Sequence, residues 1–180
     1  MRNLSKNVLG LWLIGMGLAV SAGAQAASAA GPYYATPSWD QTLPAATRFI
    51  VLTNMSSQAV LDRETGLVWE QSPSTSGFSW LDASFHCVRL NNGGRKGWRL
   101  PTIQDLASLI DPTAVNPALP SGHPFTNVQS SFYWSAATAA GDTADAWFVG
   151  FFDGFMGHSN AGTTKFAWCV RGGGPGVDPQ

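Results

Sequence analysis

Apolar positions along this chain keep two periods, and each change of period marks an element. Residues 97–110 hold the clearest case. Pro101 biases Leu100 away from a helical conformation, and Thr102 followed three residues later by Asp105 forms a capping-box-like start. Ile103, Leu106, Leu109 and Ile110 then recur three and four apart, which predicts a helix that Asp111-Pro112 stops. An earlier helix is predicted over residues 80–90, where Ser79 and Asp82 repeat the capping arrangement and Leu81, Phe85 and Val88 share one face with Ser84 beside them. Asn91-Asn92-Gly93-Gly94 ends it, because Asn and Gly tolerate the left-handed conformation that closes helices.

Elsewhere the period shortens to two. A first strand is predicted over residues 48–52, and segments 58–61 and 67–70 flank the polar stretch 62–66 as a hairpin with a longer loop. Val68 and Trp69 place apolar mass on opposite faces of its second strand. Short aromatic strands follow at 132–135, 146–152, 155–158 and 165–171, with Asp153-Gly154 as a two-residue hairpin signal. In the last of them Phe166, Trp168 and Val170 share one face, and Ala167, Cys169 and Arg171 the other. Between helix and strands lies an aperiodic stretch, residues 112–131, carrying Pro112, Pro117, Pro120 and Pro124; it reads either as a recognition loop or as a packed connector.

The ends of the chain follow other rules. Arg2 and Lys6, the apolar run 8–20 and the small residues Ala22, Ala24 and Ala26 predict a secretory signal peptide over residues 1–26. A retained membrane anchor is the competing reading, but the run is short of the ~20 residues that a span needs. No cysteine lies nearby on which a lipoprotein anchor is built. Residues 27–47 read as a flexible leader whose Tyr33, Tyr34 and Trp39 alternatively dock on the domain or on a partner; residues 48–172 form one domain, and 173–180 a disordered tail. The expected location is therefore exported, either periplasmic or extracellular.

Composition narrows the partners. Charged residues make up only 12% of the chain, so Ser, Thr, Asn, Gln and Gly must supply most of the polar surface. Without the signal, eight basic residues face eleven acidic ones, a formal charge of −3 that disfavours nucleic acid as a partner. Of the two cysteines, Cys87 falls on a predicted helix and Cys169 on the last strand. An even pair in an exported chain most simply forms a disulfide; two free thiols serving a redox or metal site is the rival, and it lacks a CxxC spacing.

Several strings, in order, resemble one family. They are TGLVWE at 65–70, the helix ending in Cys87 before NNGG at 91–94, GWRLPT at 97–102 with Asp105-Leu106, YWSA at 133–136, AWFVGFFDG at 146–154 and FAWCVRG at 166–172. Together they resemble the Lcl C-terminal domain family, a domain of unknown function named for the C-terminal region of a collagen-like bacterial adhesin. The resemblance implies a C-type-lectin-like α+β fold, distantly related to the formylglycine-generating sulfatase-modifying enzymes. In that fold two helices flank small antiparallel sheets, and a helix cysteine bridges to the last strand; Cys87 and Cys169 match those two places. No Gly-X-Y repeat precedes the domain, so a collagen stalk is not implied.

Catalytic signals are sparse. His86, His123 and His158 show no HExxH or HxH spacing, and there is no GxSxG elbow or phosphate loop. Ser135 has no supporting base nearby in sequence, and Asp62 and Glu64, with Arg63 between them, read as a solvated turn. The sulfatase-modifying relatives hold copper through cysteines, which a bridge here ties up. The Glu-Pro-Asn, Gln-Pro-Asp and Trp-Asn-Asp strings of calcium-dependent lectins are missing, although Asp142, Asp145 and Asp153 are superficially similar to such a site. No cofactor or metal is expected.

A binding surface remains. Arg89, Arg95, Lys96 and Arg99 cluster within eleven positions, either attracting an anionic polysaccharide or merely offsetting a helix dipole, with Arg99 in a structural pair. Trp134 and Trp147 are aromatic candidates for stacking on a sugar ring or anchoring an interface. The expected function is a non-enzymatic binding or adhesion module for glycan or protein. The alternatives are an enzyme related to the sulfatase-modifying fold and a structural envelope subunit.

Overall fold

In the computed structural model, residues 43–172 are described. They run α1 (Ala45–Arg48), β1 (Phe49–Val51), β2 (Ala59–Asp62), β3 (Val68–Glu70), β4 (Gly77–Phe78), α2 (Trp80–Arg89) and α3 (Ile103–Ser108). The strands β5 (Phe132–Ala139), β6 (Asp142–Gly150), β7 (Met156–Asn160), β8 (Lys165–Phe166) and β9 (Val170–Arg171) follow. One sheet has the order β1-β2-β3-β9 and the other β4-β8-β5-β6-β7, antiparallel except where β5 and β8 meet at Tyr133 and Phe166. The architecture is α+β.

The final segment joins the two sheets. What reads as one strand over 165–171 is split, β8 pairing in one sheet and β9 in the other. Its alternation nevertheless holds throughout. Trp168 and Val170, with Phe166 against them, enter one core with Val60, Trp69, Tyr133, Val149 and Phe151. Ala167 and Cys169 enter a second with Val68, Trp134, Ala146 and Phe148. Strands with apolar residues on both faces therefore lie between two cores, α3 covering the first through Leu106 and Leu109 and α2 the second through Ala83 and Cys87.

The capping signals are built as read. Thr102 Oγ1 accepts from Asp105 N–H at 3.1 Å and the Asp105 carboxylate from Thr102 N–H at 2.9 Å, while Ser79 Oγ accepts from Asp82 N–H at 3.3 Å. Leu100 and Trp98 are core residues, and Arg99 exchanges both backbone hydrogen bonds with Val170 of β9. After α2, Gly93 sits at φ +59 with Met55 so close that a Cβ would meet its backbone oxygen at 2.6 Å. No other residue type fits there without displacing the chain.

Three expectations are corrected. Leu81, Phe85 and Val88 are 56%, 46% and 65% exposed, so the apolar face of α2 points outward. The helix docks through Ala83 and Cys87 instead, small residues four apart that allow close approach to the sheet. Asp62 and Glu64 are not solvated: both are fully buried against Arg48, with Nε–Oδ1 at 2.9 Å and Nη2–Oδ2 at 2.7 Å to Asp62, and Nη1–Oε2 at 3.2 Å to Glu64. Arg48 Nη2 also donates to Ser108 C=O, and Leu43 N–H donates to Glu64. The ordered domain thus takes in residues 43–47, which the leader was expected to include; the signal 1–26, the aromatic stretch 27–42 and the tail 173–180 lie outside the described residues.

Strand β5 runs to Ala139 rather than stopping at Ser135, because a register shift between Trp134 and Thr138 lets the pairing continue through residues without alternation. The connector 112–131 is substantially packed: Ala118, Leu119 and Phe125 are buried, and Ala118 N–H donates to Phe151 C=O at 2.8 Å. No described helix is long and apolar enough to cross a membrane.

Candidate functional site

Cys87 on α2 is bonded to Cys169 between β8 and β9, and both side chains are wholly buried. Beside them the last residue of β3, Glu70, is only 5% exposed. Its carboxylate accepts from Cys169 N–H at 2.8 Å and its carbonyl from Trp168 Nε1 at 2.9 Å. His86, one residue before Cys87, completes the surroundings: an imidazole nitrogen, a Glu70 oxygen and Cys169 Sγ all lie within 4.8 Å of one another. His86 Nε2 is shut off from solvent without a hydrogen-bond partner.

Burial pushes the Glu70 carboxyl up to about 7 from 4.5, the Cys169 N–H offsetting this only in part. The folded state thus holds a proton that the unfolded chain releases. The carboxyl's contribution to stability is full below pH 4.5 and falls until pH passes 7, by on the order of 3 kcal/mol. Burial pushes His86 down, which acts in the opposite direction as pH falls, so the comparison with Glu70→Gln isolates the carboxyl. Denaturant unfolding at pH 5 and pH 8 should show the loss in the parent chain and its removal in Glu70→Gln; an equal loss in both would contradict the assignment.

His86 also faces a groove of about 820 Å³ between β4 and α2. Phe78 stacks on its imidazole at 4.7 Å on one side. Phe85 also lines the groove and lies exposed, with the Arg89 guanidinium 5.2 Å from its ring centre. Asp82 and Asn91 add polar groups to the lining. The groove therefore combines ring faces with donors and acceptors, an arrangement suited to holding a ligand.

Among the four cations singled out in the sequence, only Arg89 lines this groove. Arg99 is drawn away into a pair with Asp105 at 2.7 Å and a bond to Gly172 C=O at 3.2 Å. Arg95 and Lys96 stand exposed on the turn beyond α2. Trp134 is buried completely, its indole donating to Phe78 C=O at 3.0 Å and its ring covered by the Lys165 ammonium at 4.4 Å. It supports β4 under the groove and has no surface with which to touch a ligand. Trp147 is partly exposed on β6, edge-on to His158 at 5.2 Å, and His158 bonds Asp145 at 2.9 Å.

The remaining polar candidates stay separate. Among the described residues, the metal-ligating types come together at Glu70, His86 and Cys169, not as a three-histidine set. Asp142 and Asp153 each cap a local turn through Ala144 N–H and Phe155 N–H. Ser135 Oγ is buried and accepts from Ala137 N–H. Sequence reasoning missed the groove because the Ser- and Gly-containing stretch 72–79 gives no strand signal, yet Gly77 and Phe78 form β4 by pairing with β8. It missed Glu70 because a charged residue ending an apolar strand normally marks solvent. Residues 58–171, more than half of the chain, match the model of the Lcl C-terminal domain. No curated protein matches the chain.

Proposed function

Because the chain belongs to the Lcl C-terminal domain family, we propose that it is an exported, non-enzymatic binding module that takes a glycan in the groove between β4 and α2. The setting is the bacterial envelope or the outside of the cell, and a C-type-lectin-like fold, which the family resemblance implies, would suit the same reading. One observation carries it: Phe85 is turned to solvent beside Arg89, Asp82 and Asn91, so a sugar ring has a face to stack on and hydroxyl partners at its edge. With both thiols joined, neither cysteine is free to hold copper as the sulfatase-modifying chemistry requires, which favours binding over that chemistry. A protein ligand is the second reading, favoured by Leu81 and Val88, exposed along the same face of α2.

A glycan array with and without chelator, at two salt concentrations, tests the proposal. Phe85→Ala is expected to weaken the retained glycan about tenfold or more, as loss of a stacking ring does at a binding centre. Arg89→Ala weakens it less, and for an anionic glycan its effect shrinks as salt rises. Unchanged binding by Phe85→Ala would overturn the proposal, whereas binding lost with chelator would return calcium to the site.

A further inference from the structure

We propose that reduction of the Cys87–Cys169 disulfide creates a four-donor site for a borderline divalent cation such as Zn²⁺, with Cys87, Cys169, His86 and Glu70 as ligands. The inference is independent of glycan binding. Two thiolates, an imidazole and a carboxylate are a donor set suited to tetrahedral zinc. In the oxidised chain, one donor atom each from Glu70, His86 and Cys169 already lie within 4.8 Å of one another; Cys87 Sγ lies outside that group but is bonded to Cys169 Sγ. Tetrahedral Zn–S bonds place two sulfurs roughly 3.7 Å apart. Once the S–S bond is gone, side-chain rotation about adjacent backbone supplies that separation.

Three further features point to a ligand. His86 Nε2 is buried and unpartnered, the condition of a nitrogen with a lone pair or proton to give. The groove is lined by His86 and so opens beside one of the four ligands. Glu70 is held by the Cys169 N–H and His86 by the Phe78 ring, so both donors are oriented in advance.

The chemistry balances with a dithiol reductant. It gives two electrons and two protons and closes its own disulfide, while the Cys87–Cys169 bond opens into two thiols. Cation binding then expels those two protons as the sulfurs coordinate as thiolates, together with the proton of Glu70 where its carboxyl carries one. The site is therefore closed while the disulfide stands.

The test uses the full chain, oxidised or reduced with a phosphine, titrated with Co²⁺ and separately heated with Zn²⁺. The reduced chain is expected to bind one Co²⁺ with the tetrahedral d–d and thiolate charge-transfer bands, and Zn²⁺ to raise its unfolding midpoint; the oxidised chain should show neither. His86→Ala and Glu70→Gln should each weaken the cation by at least about tenfold. Absent bands, bands equally strong in His86→Ala, or a reduced chain that loses its fold and is not restored by Zn²⁺ would each overturn the proposal.

Discussion

Replacing both Cys87 and Cys169 with alanine is expected to lower the unfolding free energy by about 4–5 kcal/mol, because the bridge spans 82 positions and its loss frees a long loop in the unfolded chain. For a domain of this size that corresponds to a midpoint roughly 15–20 °C lower. The location of the bond raises the cost further. It ties α2 to the segment between β8 and β9, and that segment is the one that passes from one sheet to the other. Denaturant unfolding of the double variant against the oxidised parent measures the difference; a loss below about 1 kcal/mol would mean that packing of Ala83 and its neighbours holds α2 unaided.

The second large effect lies at Arg48. Arg48→Met removes the cation from two fully buried carboxylates and should cost about 3–5 kcal/mol, the usual penalty for an uncompensated buried charge. Solvent is excluded from the cluster, so high salt should restore little. The triple variant Arg48→Met, Asp62→Leu, Glu64→Leu removes all three charges together and should recover most of the loss. Failure of the triple variant to recover would show that the hydrogen bonds to Ser108 C=O and Leu43 N–H, rather than the charge balance, secure residues 43–48 to the first core.

Local signals were the legible ones. Thr102 with Asp105 and Ser79 with Asp82 announce helix starts because a cap is satisfied within four residues. The alternation over 165–171 is legible for the same reason: whichever sheet pairs with the strand, Trp168 faces one core and Cys169 the other. The orientation of α2 was not, since Leu81, Phe85 and Val88 obey helical spacing as well as a core-facing stripe would. Only the closeness that Ala83 and the bonded Cys87 permit decides which side turns inward. Asp62 and Glu64 read as a polar turn because their partner Arg48 is fourteen and more residues away. The groove was equally hidden, its walls coming from β4 and α2 only after β8 pairs with β4.

We propose that the outward face of α2 and the adjoining β4 form the recognition surface. Its most direct test is a proton–nitrogen correlation spectrum of the oxidised chain, titrated with the ligand retained most tightly in the screens. Shifts should concentrate at Phe78, Asp82, Phe85, Arg89 and Asn91. Shifts centred instead on residues 112–131, or on Trp147 and His158, with the groove unmoved, would contradict it.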